Sequence, residues 1–192
     1  MIFRNLLIKG VTAIKLITPY GFKFNKKKKR LENVSGVKMN FEFTFPDGFV
    51  LVVDTREQDG LFIAKPPKGL LLVRDTLESG DYSIRGFENN VGVERKNIDD
   101  LWSSLTTNSD RFKRELERLQ AYELKYILVE GLESEYLAHR PERKIHPNCI
   151  RQALASIEAK LNIPVHQSES RDAAERWVLD MFIKYYRWKR EV

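Results

Sequence analysis

The sequence predicts an α/β fold in which a mixed sheet carries helices on its faces. Three observations lead there. Between residues 49 and 96 short apolar runs alternate with turn residues, and after residue 97 the apolar spacing changes to the three-and-four pattern of helices. Two further apolar runs, "YILVEG" at 126–131 and "IPVHQS" at 163–168, then return between the helical stretches. The resulting order is strands, helix, strand, helix, strand, helix, which requires helices packed against a sheet.

Residues 1–38 read as a basic extension, because no acid precedes Glu32 and the segment ends in "KKKKRLENVSGVK". Its possible origins are a targeting peptide, a basic arm that follows a phosphate backbone, or an upstream extension with Met39 as the true start; the last two fit better. From residue 39 the expected domain begins. "FEFTF" places Phe41, Phe43 and Phe45 on one face, "PDG" supplies a turn, and "FVLVVD" follows as a buried strand closed by Asp54, so a hairpin is expected. Pro66 and Pro67 keep the next loop from forming a long helix. Short strands at 70–75, 81–85 and 91–96, separated by "ESGD" and "GFENN", suggest a small meander.

Ile98, Leu101, Trp102 and Leu105 form one helical stripe, and Phe112, Leu116, Leu119 and Tyr122 another after the break at "TTNSD". "HPNCIRQALASIEAKLN" reads as a helix burying Ile150, Leu154, Ile157 and Leu161. The final helix is apolar nearly all round, from Trp177 to Trp188, so it is either enclosed by the fold or covered by a second subunit.

Bulk properties narrow the function. The 192 residues suit one domain with a full core, and the net charge of +6 favours a polyanionic partner, nucleic acid first. Cys149 alone cannot form an internal disulfide, and with His146 it offers too few ligands for a structural zinc, which needs about four. His139, His146 and His166 are too scattered for a local metal motif. An intracellular setting follows from the cysteine count. No apolar run reaches the ~18 residues of a membrane span. GxGxxG, Walker and GxSxG motifs are absent, so no small-molecule cofactor is expected.

The unusual stretch is "VGVERKNIDDL" at 91–101, a strand that ends in Glu94, Arg95 and Lys96. Side chains alternate along a strand, so Glu94 and Lys96 share one face and Arg95 takes the other. Asp54 closes one strand and Asp81 opens another. If those strands are neighbours, three acids meet, and their repulsion is relieved by a hard divalent ion such as Mg2+. Such a site suits phosphodiester hydrolysis, with Lys96 orienting the attacking water or neutralising charge. A salt-bridged rim at the strand ends accounts for the same charges.

"VVDTRE" at 52–57, "GDYSI" at 80–84, "VERKNIDDL" at 93–101 and "YILVEG" together resemble the nuclease domain of the XPF and Hef family of structure-selective DNA endonucleases, whose signature is GD followed by ERKxxxD. The likeness covers residues from about 50 to about 186. It implies a restriction-endonuclease-like core, a Mg2+ or Mn2+ site on Asp54, Asp81 and Glu94, and incision of branched, forked or flapped DNA. Lys96 would act on the water, Arg95 would clamp phosphate or carboxylate, Asp100 would orient a basic neighbour, and Arg56 and Glu57 would support the site. For Asp100 the alternative is a first-turn acid facing the helix dipole. Arg111, Lys113 and Arg114 are candidates for DNA contact. The resemblance also implies a homodimer through the C-terminal helices.

Two features depart from the family. "PPK" stands where a helix usually follows the DxRE motif, which bears on the wall of the site beside Asp54, and the tandem helix-hairpin-helix module that often follows the nuclease domain does not appear before Val192, which makes junction selectivity the part of the resemblance most in need of a test. The competing function is a catalytically silent nuclease fold that only binds DNA or dimerises; the intact set Asp54, Asp81, Glu94 and Lys96 favours an enzyme. A basic coat protein would gain nothing from clustered acids, which repel phosphate.

Overall fold

The computed structural model describes residues 22–25, 30–33, 43–138 and 146–191. The chain divides into two units, Met1–Glu42 and Phe43–Val192. In the first, β1 (Phe22–Asn25) and β2 (Arg30–Asn33) pair antiparallel, Phe22 opposite Asn33. The rest of the expected 1–38 extension, Met39 and His139 lie outside the described residues.

The second unit is built on six strands: β3 (Leu51–Asp54), β4 (Leu72–Asp75), β5 (Tyr82–Ile84), β6 (Val91–Asn97), β7 (Leu124–Glu130) and β8 (Val165–Ser168). Their order across the sheet is β4-β3-β5-β6-β7-β8. The pairs β3–β5 and β5–β6 are antiparallel, and β3–β4, β6–β7 and β7–β8 are parallel. The fold is therefore α/β with a mixed sheet.

Two expectations are corrected here. Among the described residues 43–46 carry no strand, so they do not form the expected hairpin arm before β3, and Phe41 of that arm lies outside the described residues. The reason is that both edges of β3 are already taken, one by β4 and the other by β5. Only the turn remains, with the Phe49 N–H donating to the Pro46 carbonyl at 3.0 Å, and Phe43 and Phe45 pack against the core instead. The meander is likewise limited to β5 and β6, because β4 lies parallel to β3 on its far side and the chain must cross back to reach β5. Residues 55–71, which make the first crossover, hold turns and no helix.

The helices are α1 (Ile98–Leu105), α2 (Ser109–Leu119), the short α3 (Glu133–Tyr136), α4 (Asn148–Leu161) and α5 (Arg171–Glu191). Among the described residues, none is long and apolar enough to cross a membrane. The alternation of β7 shows how the sheet separates two cores. Leu128 joins Leu51, Val53, Tyr82, Val93 and the buried residues of α5, whereas Ile127 and Val129 join Leu101, Trp102, Phe112, Leu116, Ile150 and Leu154 from α1, α2 and α4. Thus α5 covers one face and the other helices cover the opposite one.

This arrangement accounts for most of the apolar surface of α5. Val178, Leu179, Phe182, Ile183, Tyr185 and Tyr186 are buried within the unit, while Trp188 stays 52% exposed. Phe182→Ala should therefore destabilise the fold by about 3–5 kcal/mol. Urea unfolding would show this as a lower midpoint at unchanged slope.

Candidate active site

The site forms where β5 and β6 come together. Tyr82 pairs with Val93, so the next residues outward on the two strands are Asp81 and Glu94. The Asp81 N–H donates to the Val93 carbonyl at 2.8 Å, and the Arg95 N–H donates to Asp81 Oδ2 at 2.7 Å. Gly80 permits this approach. Its φ is +81°, and a Cβ there would lie 3.2 Å from the Val93 nitrogen and 3.3 Å from its oxygen.

Asp81, Glu94, Lys96 and Asp100 line a cavity of about 190 Å³, together with Arg56, Glu57, Ser79, Gly80 and, from α2, Arg111, Glu115 and Arg118. Glu94 is buried and Asp81 partly so. Burial, and next the Glu94 charge, push the Asp81 carboxyl well above the ordinary carboxylate range. Burial also raises Glu94, although Lys96 opposes it. The Lys96 ammonium donates to Glu94 Oε1 at 2.5 Å and lies 5.1 Å from the centre of the Phe112 ring. Burial favours its neutral form, but the Glu94 and Asp81 charges outweigh burial and raise its pKa, so Lys96 is a cation at neutral pH. In that state it can donate a hydrogen bond or neutralise negative charge.

Asp54, expected beside Asp81 and Glu94, is not among the residues lining the cavity. It is 1% exposed and its carboxylate is engaged elsewhere. Oδ1 accepts from the Arg56 N–H at 2.8 Å and Arg56 Nε at 2.7 Å; Oδ2 accepts from Arg56 Nη2 and from the Leu77 N–H, both at 2.8 Å. Burial pushes the carboxyl up, yet these bonds and the Arg56 charge outweigh it and hold the pKa below its ordinary value.

Arg95 is on the opposite face from Glu94 and Lys96. Its side chain is 8% exposed and bound to carboxylates: Nη1 donates to Glu57 Oε1 at 2.6 Å, while Nε and Nη2 donate to the two oxygens of Glu130 at 2.8 and 3.0 Å. Of the two clamping roles expected for Arg95, the carboxylate one is seen in the structure, and Arg95 also borders the cavity. Asp100 sits in the first turn of α1, where its N–H is capped by Asn97 Oδ1 at 2.8 Å, and its side chain forms no ion pair among the described residues.

On α2, Arg111 reaches the cavity, whereas Lys113 borders a separate apolar groove against α4 and Arg114 is exposed away from both. Glu115, Arg118 and Glu130 were not singled out from the sequence. Glu115 and Arg118 stand four and seven residues after Arg111, on the same helical face, so that spacing was the available signal. Glu130 closes β7 as Asp54 closes β3, but only the sheet order shows that it meets Arg95.

The residues present fit a divalent ion in one respect. Mg2+ is commonly held by one or two carboxylates with waters and substrate phosphate, and Asp81 and Glu94 are two acids whose mutual repulsion such an ion would relieve. Among the described residues, no three His, Cys, Asp or Glu side chains converge as a ready-made metal cluster.

The sequence matches the ERCC4 domain over residues 53–181, more than half of the chain and the whole of the cavity lining. This protein belongs to the ERCC4-domain family. The motif resemblance and the architecture therefore agree. The ERCC4 domain is similar in structure to XPF from Aeropyrum pernix in complex with DNA, with a TM-score of 0.56 at 20% identity over 72% of this chain and 65% of that one. XPF from the same organism without the DNA matches with a TM-score of 0.56 at 21% identity, over 71% of this chain and 60% of that one. In both comparisons the chain spans less than two thirds of the relative's length. No curated protein sequence matches.

Two outcomes are expected for the ERCC4 domain's ionic residues. Arg95→Ala leaves the half-buried Glu57 and Glu130 without their common partner and should cost about 2–3 kcal/mol in chemical denaturation, below the range for fully buried pairs because both acids keep some contact with water. Asp81→Asn should stabilise the metal-free protein at neutral pH. The folded carboxyl holds its proton to higher pH than the unfolded one, whose ordinary value is 3.8, so stability falls as pH rises from there through the folded pKa. Melting at pH 7 should show a Tm gain of ~2–4 °C for each kcal/mol recovered, and the gain should vanish by about pH 3.5.

Proposed function

We propose that this protein is a Mg2+- or Mn2+-dependent endodeoxyribonuclease that hydrolyses phosphodiester bonds in branched, forked or flap DNA. The observation that carries the reading is the convergence of Asp81 and Glu94, with Lys96 beside them, in one polar cavity of an ERCC4-family chain. DNA as partner is supported by the +6 net charge and by the DNA complex of the related Aeropyrum pernix protein.

Asp81 and Glu94 would hold the ion. When bound, it supplies an activated water and Lewis-acid polarisation of the phosphate. The backbone N–H of Arg95 fixes the Asp81 carboxylate, and the Arg95 side chain fastens β6 to Glu57 and to the end of β7. Lys96 provides a positive charge beside Glu94, suited to orienting water or meeting charge that develops on the phosphate. Asp100 and Glu115 close the far wall, and Arg111 and Arg118 set positive charge at its edge.

The homodimer belongs to this reading because the family resemblance implies it. Its support on α5 is narrow, since Trp188 is the main large apolar residue of that helix left exposed. Solution mass by light scattering should give twice the 22.5 kDa of the chain; a strict monomer at micromolar concentration removes this part.

Labelled flap, fork, duplex and single-stranded DNA test the hydrolysis. Cleavage should require Mg2+ or Mn2+, stop in EDTA, favour the branched forms, and fall by ~100-fold or more in Asp81→Ala and Glu94→Ala. Equal rates in wild type and both variants would refute the site. Tight binding with no cleavage under any ion would instead establish the silent binding module.

A further inference from the structure

We infer that Asp54 works through Arg56: the buried carboxylate is an anchor that presents the free edge of the Arg56 guanidinium as a binding site for a DNA backbone phosphate beside the acid pair. The inference rests on the proposed DNA reading and assigns Asp54 a positioning role.

The hydrogen-bond inventory leads to this assignment. An ionised carboxylate offers about four acceptor positions. Asp54 fills them with the Arg56 N–H, Arg56 Nε, Arg56 Nη2 and the Leu77 N–H. Coordinating an ion would mean breaking one of those bonds and exposing a group that is 1% accessible.

The guanidinium is equally well defined. Its Nε and Nη2 grip Asp54, and Nη2 also donates to the Leu77 carbonyl at 2.8 Å. Three of its five N–H groups are thereby committed on one side. The two on Nη1 have no partner among the described residues, and the side chain is 62% exposed where it lines the cavity with Asp81, Glu94 and Lys96. A planar fork tethered along one edge and open along the other suits a phosphodiester oxygen better than a flexible ammonium would. The two cavity arginines on α2 are less constrained. Arg111 holds one carboxylate oxygen of Glu115 at 3.1 Å and is 74% exposed, and Arg118 makes a single 3.3 Å bond to the Glu78 carbonyl. Arg95 also borders the cavity but is clamped by Glu57 and Glu130 and only 8% exposed, so Arg56 is the cavity arginine that is both held from two directions and open to solvent, its side chain largely ordered before DNA arrives.

The chemistry around the acids explains the need. Phosphate approaching Asp81 and Glu94 meets repulsion, and a fixed cation nearby offsets it. Arg56 provides that charge whether or not an ion is present.

The test compares Arg56→Ala, Arg56→Lys, Asp54→Asn and the Asp54→Asn/Arg56→Ala double variant of the full chain. Affinity for fluorescent fork and flap DNA is read in EDTA, alongside the Mg2+ concentration that gives half-maximal cleavage. Arg56→Ala and Asp54→Asn should each weaken binding by roughly 10–100-fold, the range for losing a charge-assisted hydrogen bond, and the double variant should be no weaker than Arg56→Ala. Arg56→Lys should fall close to Arg56→Ala. The Mg2+ midpoint of Asp54→Asn should stay at the wild-type value.

Wild-type affinity in EDTA combined with a raised Mg2+ midpoint in Asp54→Asn would make Asp54 a metal ligand and overturn the inference. Should Asp54→Asn fail to fold, the Arg56 variants still decide, because wild-type binding by Arg56→Ala refutes the phosphate site. A wild type that binds DNA but never cuts it defeats the hydrolysis reading and leaves the EDTA arm valid. A wild type with no affinity for DNA overturns both.

Discussion

The cross-strand meeting of β5 and β6 is the constraint on which the rest of the structure depends. Because Tyr82 pairs with Val93, Asp81 and Glu94 must emerge side by side, and Gly80 is the residue that lets the backbone close at that point. A buried acid and a partly buried one side by side are unfavourable for the free fold, as the upward shift of both carboxyls indicates. The surrounding charges are arranged accordingly. Lys96 is drawn to Glu94, and α2 brings two arginines and Glu115 to the opposite wall.

Alternation along β6 then separates two kinds of ionic chemistry within three residues. Glu94 and Lys96 share one face of the strand, while the Arg95 side chain leaves from the other, borders the cavity with Glu57, and joins β6, β7 and the loop after β3 through Glu130 and Glu57. The ERK motif is therefore both a site and a fastening. Buried ion pairs of this kind add little net stability compared with apolar packing, yet removing one member is costly. Their effect here is to fix where the strand ends lie, and the strand ends carry the acids.

Most of the architecture was legible in the sequence because each element met a local rule. The helical stripes at Ile98–Leu105 and Phe112–Tyr122 and the apolar runs of β3 and β7 correspond to observed elements. The errors arose where partners mattered. "FEFTF" has strand-like alternation, but β3 had no edge left to receive it. The all-round apolarity of α5 admitted a subunit interface or internal packing, and the fold packs most of it against the sheet and the phenylalanines that precede β3.

What the sequence determined by itself was the inventory and its parity: which acids end strands, that Glu94 and Lys96 share a face, and that Arg95 does not. These follow from the period of two in a strand and the spacing of residues in a helix. What only the tertiary structure decided was the pairing of charges across elements. Asp54 meets Arg56 and Leu77, Arg95 meets Glu57 and Glu130, and the Arg111–Glu115–Arg118 face of α2 meets the acid cavity. Sheet order and helix placement set those distances, and electrostatic partnership depends on distance in space rather than on position in the chain.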